Sequence, residues 1–216
     1  MSFSGDIDFY LVFDMFILLL IGMGPKVALV PFLDLTAEME EETVKKVTRK
    51  MVFTGVAVAL ILVLLGGFLM KLLHFTPGAL SIAGGIVFML LALHMIVGAS
   101  KENDHREKAS DRDALKMALY PLAVPYLLNP AGIATLVIAS GDADTIPLYA
   151  ILIALVLLMG AFDMLVFGNI GKLSKHLDPS RMVVTEVVFG VLLAALAVQL
   201  VLDGLADLDI ISAIAH

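Results

Sequence analysis

The chain has 216 residues, of which 60% are hydrophobic and 16% charged, and its formal net charge is -7. A soluble domain is nearer half apolar with about a quarter charged. This composition, with a mean hydropathy of +1.00, is that of an integral membrane protein and leaves no room for a soluble catalytic or nucleic-acid-binding domain. The acidic balance lies mostly in loops and termini and names no partner, and without cysteine the chain offers neither a disulfide nor a cysteine metal site.

Six apolar stretches reach the roughly 20 residues that a membrane-spanning helix needs: 9–33, 51–73, 78–98, 115–139, 146–168 and 183–205. Asp6 and Asp8, with no Lys or Arg among the first eight residues, argue against a cleaved leader. The first stretch breaks in its middle at Gly22-Met23-Gly24-Pro25-Lys26, and the fourth at Asn129-Pro130-Ala131-Gly132. Proline lacks a backbone N–H and clashes with the carbonyl four residues back, and neighbouring glycine makes other backbone conformations cheap. Inside a bilayer such a break survives only where protein or a water-filled cavity covers the freed polar groups. After the first stretch, Thr36 with Met39 reads as the N-cap of a charged, solvated helix through Arg49. Residues 100–113 mix both signs and are expected to be a flexible cytoplasmic linker between residues 1–99 and 114–216.

Loops one, three and five hold twelve of the 14 cations, Lys71 is alone on the other side, and Lys26 falls inside a span. By the positive-inside rule the odd loops are cytoplasmic and both termini lie outside the cytoplasmic membrane.

Displaced by 105 residues, the chain matches itself: Gly24-Pro25 falls on Asn129-Pro130, Gly55 on Gly160, Gly66 on Gly171, Gly85 on Gly190 and His94 on Gln199. Glycine frequency alone predicts about one such glycine coincidence, so three with an intramembrane proline match point to a repeat, the alternative being chance coincidence of packing glycines. A period of three spans makes the two copies opposite in orientation, as in secondary transporters. The fold class expected is all-α: a six-transmembrane-helix polytopic protein of two inverted three-helix repeats, with helices one and four broken.

The two breaks then face each other near the midplane. A helix start carries partial positive charge and suits a carboxylate, and a helix end offers carbonyls to an ammonium. The expected substrate site is therefore Gly22, Gly24, Pro25, Lys26 and Val27 with Asn129, Pro130, Ala131, Gly132 and Thr135. It suits a small zwitterion. Asn129→Ala and Gly132→Leu are expected to abolish transport in a protein that still folds.

Ionisable groups within spans are costly and default to functional candidates. Lys26 either pairs with Asp163 or snorkels to the headgroups. Asp14 either lines an outer vestibule or reaches the outer interface. His94 and Gln199 are repeat-related and serve either function or helix–helix hydrogen bonding. The twelve Met read as core filler.

Several segments together resemble the MarC family, which includes the small neutral amino-acid transporters called SnatA and belongs to the LysE-type transporter group. They are Gly24-Pro25 with Pro31-Phe32-Leu33-Asp34-Leu35-Thr36, Leu80-Ser81-Ile82-Ala83-Gly84-Gly85, Pro121-Leu122-Ala123-Val124-Pro125 with Asn129-Pro130-Ala131-Gly132, and Ala197-Val198-Gln199 with Gly204. The resemblance covers nearly the whole chain and implies six spans, inverted repeats and amino-acid transport with proton coupling. The sequence departs from the family pattern where Gly24 replaces the usual Asn, where Lys26 replaces an apolar residue, and where Asp203 replaces a common Asn.

The expected function is a secondary transporter of glycine, alanine or similar amino acids, working by alternating access, with membrane lipid and protons as further partners, no cofactor and no enzymatic activity. The alternatives are a channel or exporter for another small polar or anionic metabolite, or a non-transporting scaffold. An intramembrane aspartyl hydrolase would need Asp14 and Asp163 to share a site, yet topology puts them in opposite halves of the bilayer. A retinal-binding role for Lys26 is disfavoured in a chain without Trp.

Overall fold

The computed structural model describes residues 9–37, 39–98, 111–143, 145–170 and 179–211, and the regular structure among them is helical. In chain order the helices are α1 (Phe9–Gly22), α2 (Pro25–Thr36), α3 (Glu41–Leu73), α4 (Pro77–Gly98), α5 (Asp111–Met117), a π-helical stretch (Ala118–Leu127), α6 (Pro130–Asp142), α7 (Ile146–Asn169) and α8 (Pro179–Asp207).

Both breaks fall where the sequence places them. Gly24 and Asn129 are the extended residues before α2 and α6, and each is followed by proline in the first helical position. There proline costs nothing, because a helix's first N–H has no intrahelical partner. With 14 and 12 residues, α1 and α2 are each too short to span alone.

The fourth stretch departs from a plain helix before its break. Tyr120 and Val124 have extended backbones inside the π-helical stretch, each directly preceding a proline, Pro121 and Pro125. Proline pushes the residue before it out of the α region. The axis then turns by 68° between the stretch ending at Leu127 and α6. Five helical segments are long and apolar enough to cross a membrane, with α1 and α2 taken together, and this bent pair makes a sixth if it counts as one span.

Helix α3 has 33 residues, roughly 50 Å of helix against a hydrocarbon core of roughly 30 Å. Its excess length is the charged first turns, where Lys45 meets Glu41 at 2.8 Å and Lys46 meets Glu42 at 2.9 Å. The solvated helix is therefore the extension of a span, and Thr36 is not its cap. Thr36 ends α2 and its hydroxyl donates to the Phe32 carbonyl at 2.6 Å, while Glu40 precedes α3. The expected linker lies largely outside the described residues, and its last three, 111–113, are already helical in α5.

Helices α4 and α8 run antiparallel through facing small residues. A Cβ on Gly78 would meet the Gly204 backbone, one on Gly85 would meet the Ala197 carbonyl and Val201, and one on Gly190 would meet the Ala92 carbonyl and Ile96. The small residues Gly78, Gly85 and Ala92 recur every seven positions, as do Gly190, Ala197 and Gly204. Small residues let membrane helices approach backbone to backbone, the main source of their packing energy where water supplies no drive.

Large apolar side chains, among them Phe53, Leu64, Phe68, Leu90 and Leu165, cover the outside. The interior holds two buried clusters, one around Phe32, Phe88, Leu127 and Phe167, the other around Met15, Leu19, Met23, Leu128 and Met159.

Candidate functional site

The two breaks meet. The Asn129 N–H donates to the Gly22 carbonyl at 2.9 Å, and its side-chain Nδ2 donates to the Ile21 carbonyl at 2.7 Å. Its Oδ1 accepts from the Gly132 N–H at 3.0 Å, and its own carbonyl accepts from the Ile133 N–H at 3.0 Å. The two side-chain partners, the Ile21 carbonyl and the Gly132 N–H, fix which way the carboxamide points. Asn129 is thus the N-cap of α6 and also closes the carbonyl end of α1, with no exposed surface.

The glycines at this crossing are dictated by proximity. A Cβ on Gly22 would strike the Gly132 backbone and one on Gly132 the Gly22 backbone, so α1 and α6 touch main chain to main chain. The space that a Gly24 side chain would need is held by the Leu20 carbonyl. The expected Gly132→Leu variant therefore cannot fold unchanged: its side chain would enter the Gly22 backbone rather than an empty pocket.

This geometry divides the polar ends unequally. The negative end of α1 abuts the positive end of α6, and Asn129 satisfies both. The N-cap of α2 is Gly24, which has no side chain to accept from the first-turn N–H groups that follow it. Pro31 lies within α2 and leaves the Val27 carbonyl without its intrahelical donor.

The remaining expected site residues scatter. Gly22, Gly24, Val27, Asn129, Pro130 and Gly132 are buried at the crossing, with Pro25, Ala131 and Thr135 half-buried beside them. Lys26, Asp14 and His94 are exposed, and Gln199 is half-buried with its Nε2 donating to Asp203 Oδ1 of its own helix at 2.7 Å. Asp163 is wholly buried, and neither of its oxygens has a hydrogen-bond partner. The Lys26–Asp163 ion pair considered from the sequence is not formed, because Lys26 points out of the packed interior in which Asp163 is enclosed. Nor does exposed Asp14 bond Asp163.

Sequence reasoning missed the Ser140 junction. The Gly67 N–H donates to Ser140 Oγ at 3.0 Å, and the Tyr149 hydroxyl donates to the Ser140 carbonyl at 3.1 Å, tying α3, α6 and α7 together. Ser140 followed by Gly141 was the available signal: a hydroxyl beside a residue small enough for backbone approach.

A helical integral membrane protein with a buried crossing of interrupted helices is the class that fold and site define. Residues 9–208 match the family described as MarC family integral membrane protein, and the chain belongs to that family. It is similar to a UPF0056 membrane protein of Methanocaldococcus jannaschii, 28% identical over 193 residues that cover 85% of this chain and 90% of the relative. One from Archaeoglobus fulgidus is 23% identical, covering 96% and 97% of the two chains, and YvbG of Bacillus subtilis is 26% identical, covering 81% and 84%. No solved structure matches the chain.

Proposed function

We propose that this protein is a secondary transporter for small neutral amino acids, glycine and alanine first, in the cytoplasmic membrane. The observation that carries the reading is the crossing of two interrupted helices at Gly22, Asn129 and Gly132. Interrupted membrane helices that meet near one another are the usual setting of a transporter's substrate site. The uncapped start of α2 at Lys26 and Val27 is the carboxylate subsite, its N–H groups and helix dipole offering positive potential. The ammonium meets the Val27 carbonyl, which Pro31 leaves without its intrahelical donor. Half-buried Ala131 and Thr135 are the small residues beside the crossing that would face a methyl or hydroxymethyl side chain.

Two inverted halves rocking about this crossing supply alternating access. The packing of α4 on α8 supports that symmetry: Gly85 abuts Ala197 and Val201, and Gly190 abuts Ala92 and Ile96. The displacement of 105 residues that carries Gly85 to Gly190 also carries Ala92 to Ala197 and Ile96 to Val201. The reading makes the protein a carrier and not an enzyme, a channel or a scaffold.

Counterflow of labelled glycine, alanine and serine in liposomes holding the purified protein tests it. Trans-stimulated exchange is expected for small amino acids and not for leucine. Flux without trans-stimulation would replace the carrier with a channel, and no flux of any of them would remove the reading.

A further inference from the structure

Asp163 is an acid enclosed in the protein interior. Its side chain has no exposed surface, and neither carboxyl oxygen has a partner. Gly160, one turn earlier, meets Val56 of α3, and Phe167, one turn later, lies 4.9 Å from Phe32 of α2 between ring centroids. Residues three and four apart share a helix face, so Asp163 lies between these two contacts, where α7 packs on α3 and α2. It also sits at the seam of the interior: Met159 belongs to one buried cluster and Phe167 to the other.

Helices α1, α2 and α3 make the main contacts with α7, and Tyr149 of α7 also reaches Ser140 of α6. The titratable groups on these helices are Tyr10 and Asp14 on α1, Lys26 and Asp34 on α2, Lys71 and the charged first turns from Glu41 to Lys50 on α3, and Asp142 on α6. None of them hydrogen-bonds Asp163. A carboxylate in such surroundings has no protein donor and no bonded countercharge, while a neutral carboxylic acid forgoes only hydrogen bonds. An apolar residue of similar size would pack here at no such cost, and ionisable groups inside membranes mark pathways and relays.

We propose that Asp163 is a proton-binding site whose protonation holds α7 closed against α2 and α3. The step is simple in its balance. The acid releases one proton to water when the α2–α7 contact opens, leaving a hydrated carboxylate, and the carboxylate takes one proton back before the contact closes. A proton is the cation that an enclosed site of this kind accommodates, since it adds no volume between Val56 and the Phe32–Phe167 pair. In a carrier, a reading that rests on the function proposed above, this ties one proton to each opening of the first broken helix.

The test uses the full chain in proteoliposomes, as wild type, Asp163→Asn and Asp163→Glu. Infrared difference spectra between acid and alkaline pH should show a protonated-carboxyl band in wild type that is absent in Asp163→Asn and shifted in Asp163→Glu. Identical bands in wild type and Asp163→Asn would overturn the proton site whether or not the protein transports anything. Glycine accumulation driven by a pH gradient should vanish in Asp163→Asn and return in part in Asp163→Glu, and the exchange rate of Asp163→Asn should no longer vary with pH. Gradient-driven accumulation that persists in Asp163→Asn would sink the coupling. Absence of glycine counterflow in wild type would remove the transport reading and leave the carboxyl band to decide the proton site.

Discussion

Asn129 bonds at both ends of its carboxamide, and that sets the cost of replacing it. Asn129→Ala removes the cap of α6, typically about 0.5–2 kcal/mol, and strands the half-buried Ile21 carbonyl at about 1–3 kcal/mol. A loss of about 2–4 kcal/mol is expected in denaturant unfolding followed by circular dichroism. Asn129→Asp should lose more, because a carboxylate would face the Ile21 carbonyl with nothing to donate. Gly22→Ala and Gly132→Ala should each cost about 1–3 kcal/mol, as overpacking does where backbone already touches backbone. For Lys26 and Asp163 the expectation is independence. The effects of Lys26→Met and Asp163→Leu on unfolding should add to within about 0.5 kcal/mol in a double-mutant cycle; a larger coupling would restore the ion pair. The sequence marked Asn129 as special through its proline and its depth in an apolar stretch. That the side chain fastens two helix ends was not readable there, because its partners lie 108 residues away at Ile21.

At the scale of elements, the positions of the breaks were legible and the winding before one of them was not. Pro121 and Pro125 stand four apart within an apolar run. Each proline disfavours helical backbone at the residue before it, and Tyr120 and Val124 are extended, which hydropathy cannot register. The α4–α8 pair gives the sharpest element-level test. Gly85→Leu and Gly190→Leu should each destabilise by at least about 1–3 kcal/mol, since each would drive a side chain into the opposing helix. Gly168→Ala is the control: nothing lies within 4 Å of its Cβ position, so removing glycine's backbone freedom should stabilise α7 by up to about 1 kcal/mol. If all three variants unfold alike, close packing of small residues is not what joins α4 to α8.

At the scale of the whole molecule, the absence of cysteine makes orientation directly measurable by single-cysteine labelling. With a membrane-impermeant maleimide on intact cells, Ser2→Cys and Ser212→Cys should react, and Ser110→Cys only after permeabilisation. Reversed labelling would invert the orientation; termini on opposite sides would break the six-span inverted repeat. Membrane residence, the two break points and the family resemblance were all determined by the sequence alone, because composition, proline and span length act locally and lipid enforces them on any fold. Tertiary structure decided which polar groups meet. It closed Asn129 onto α1, turned Lys26 outward and shut Asp163 between α2 and α3, because side-chain pairing depends on how helices rotate about their axes, which the close packing of glycines from distant segments sets.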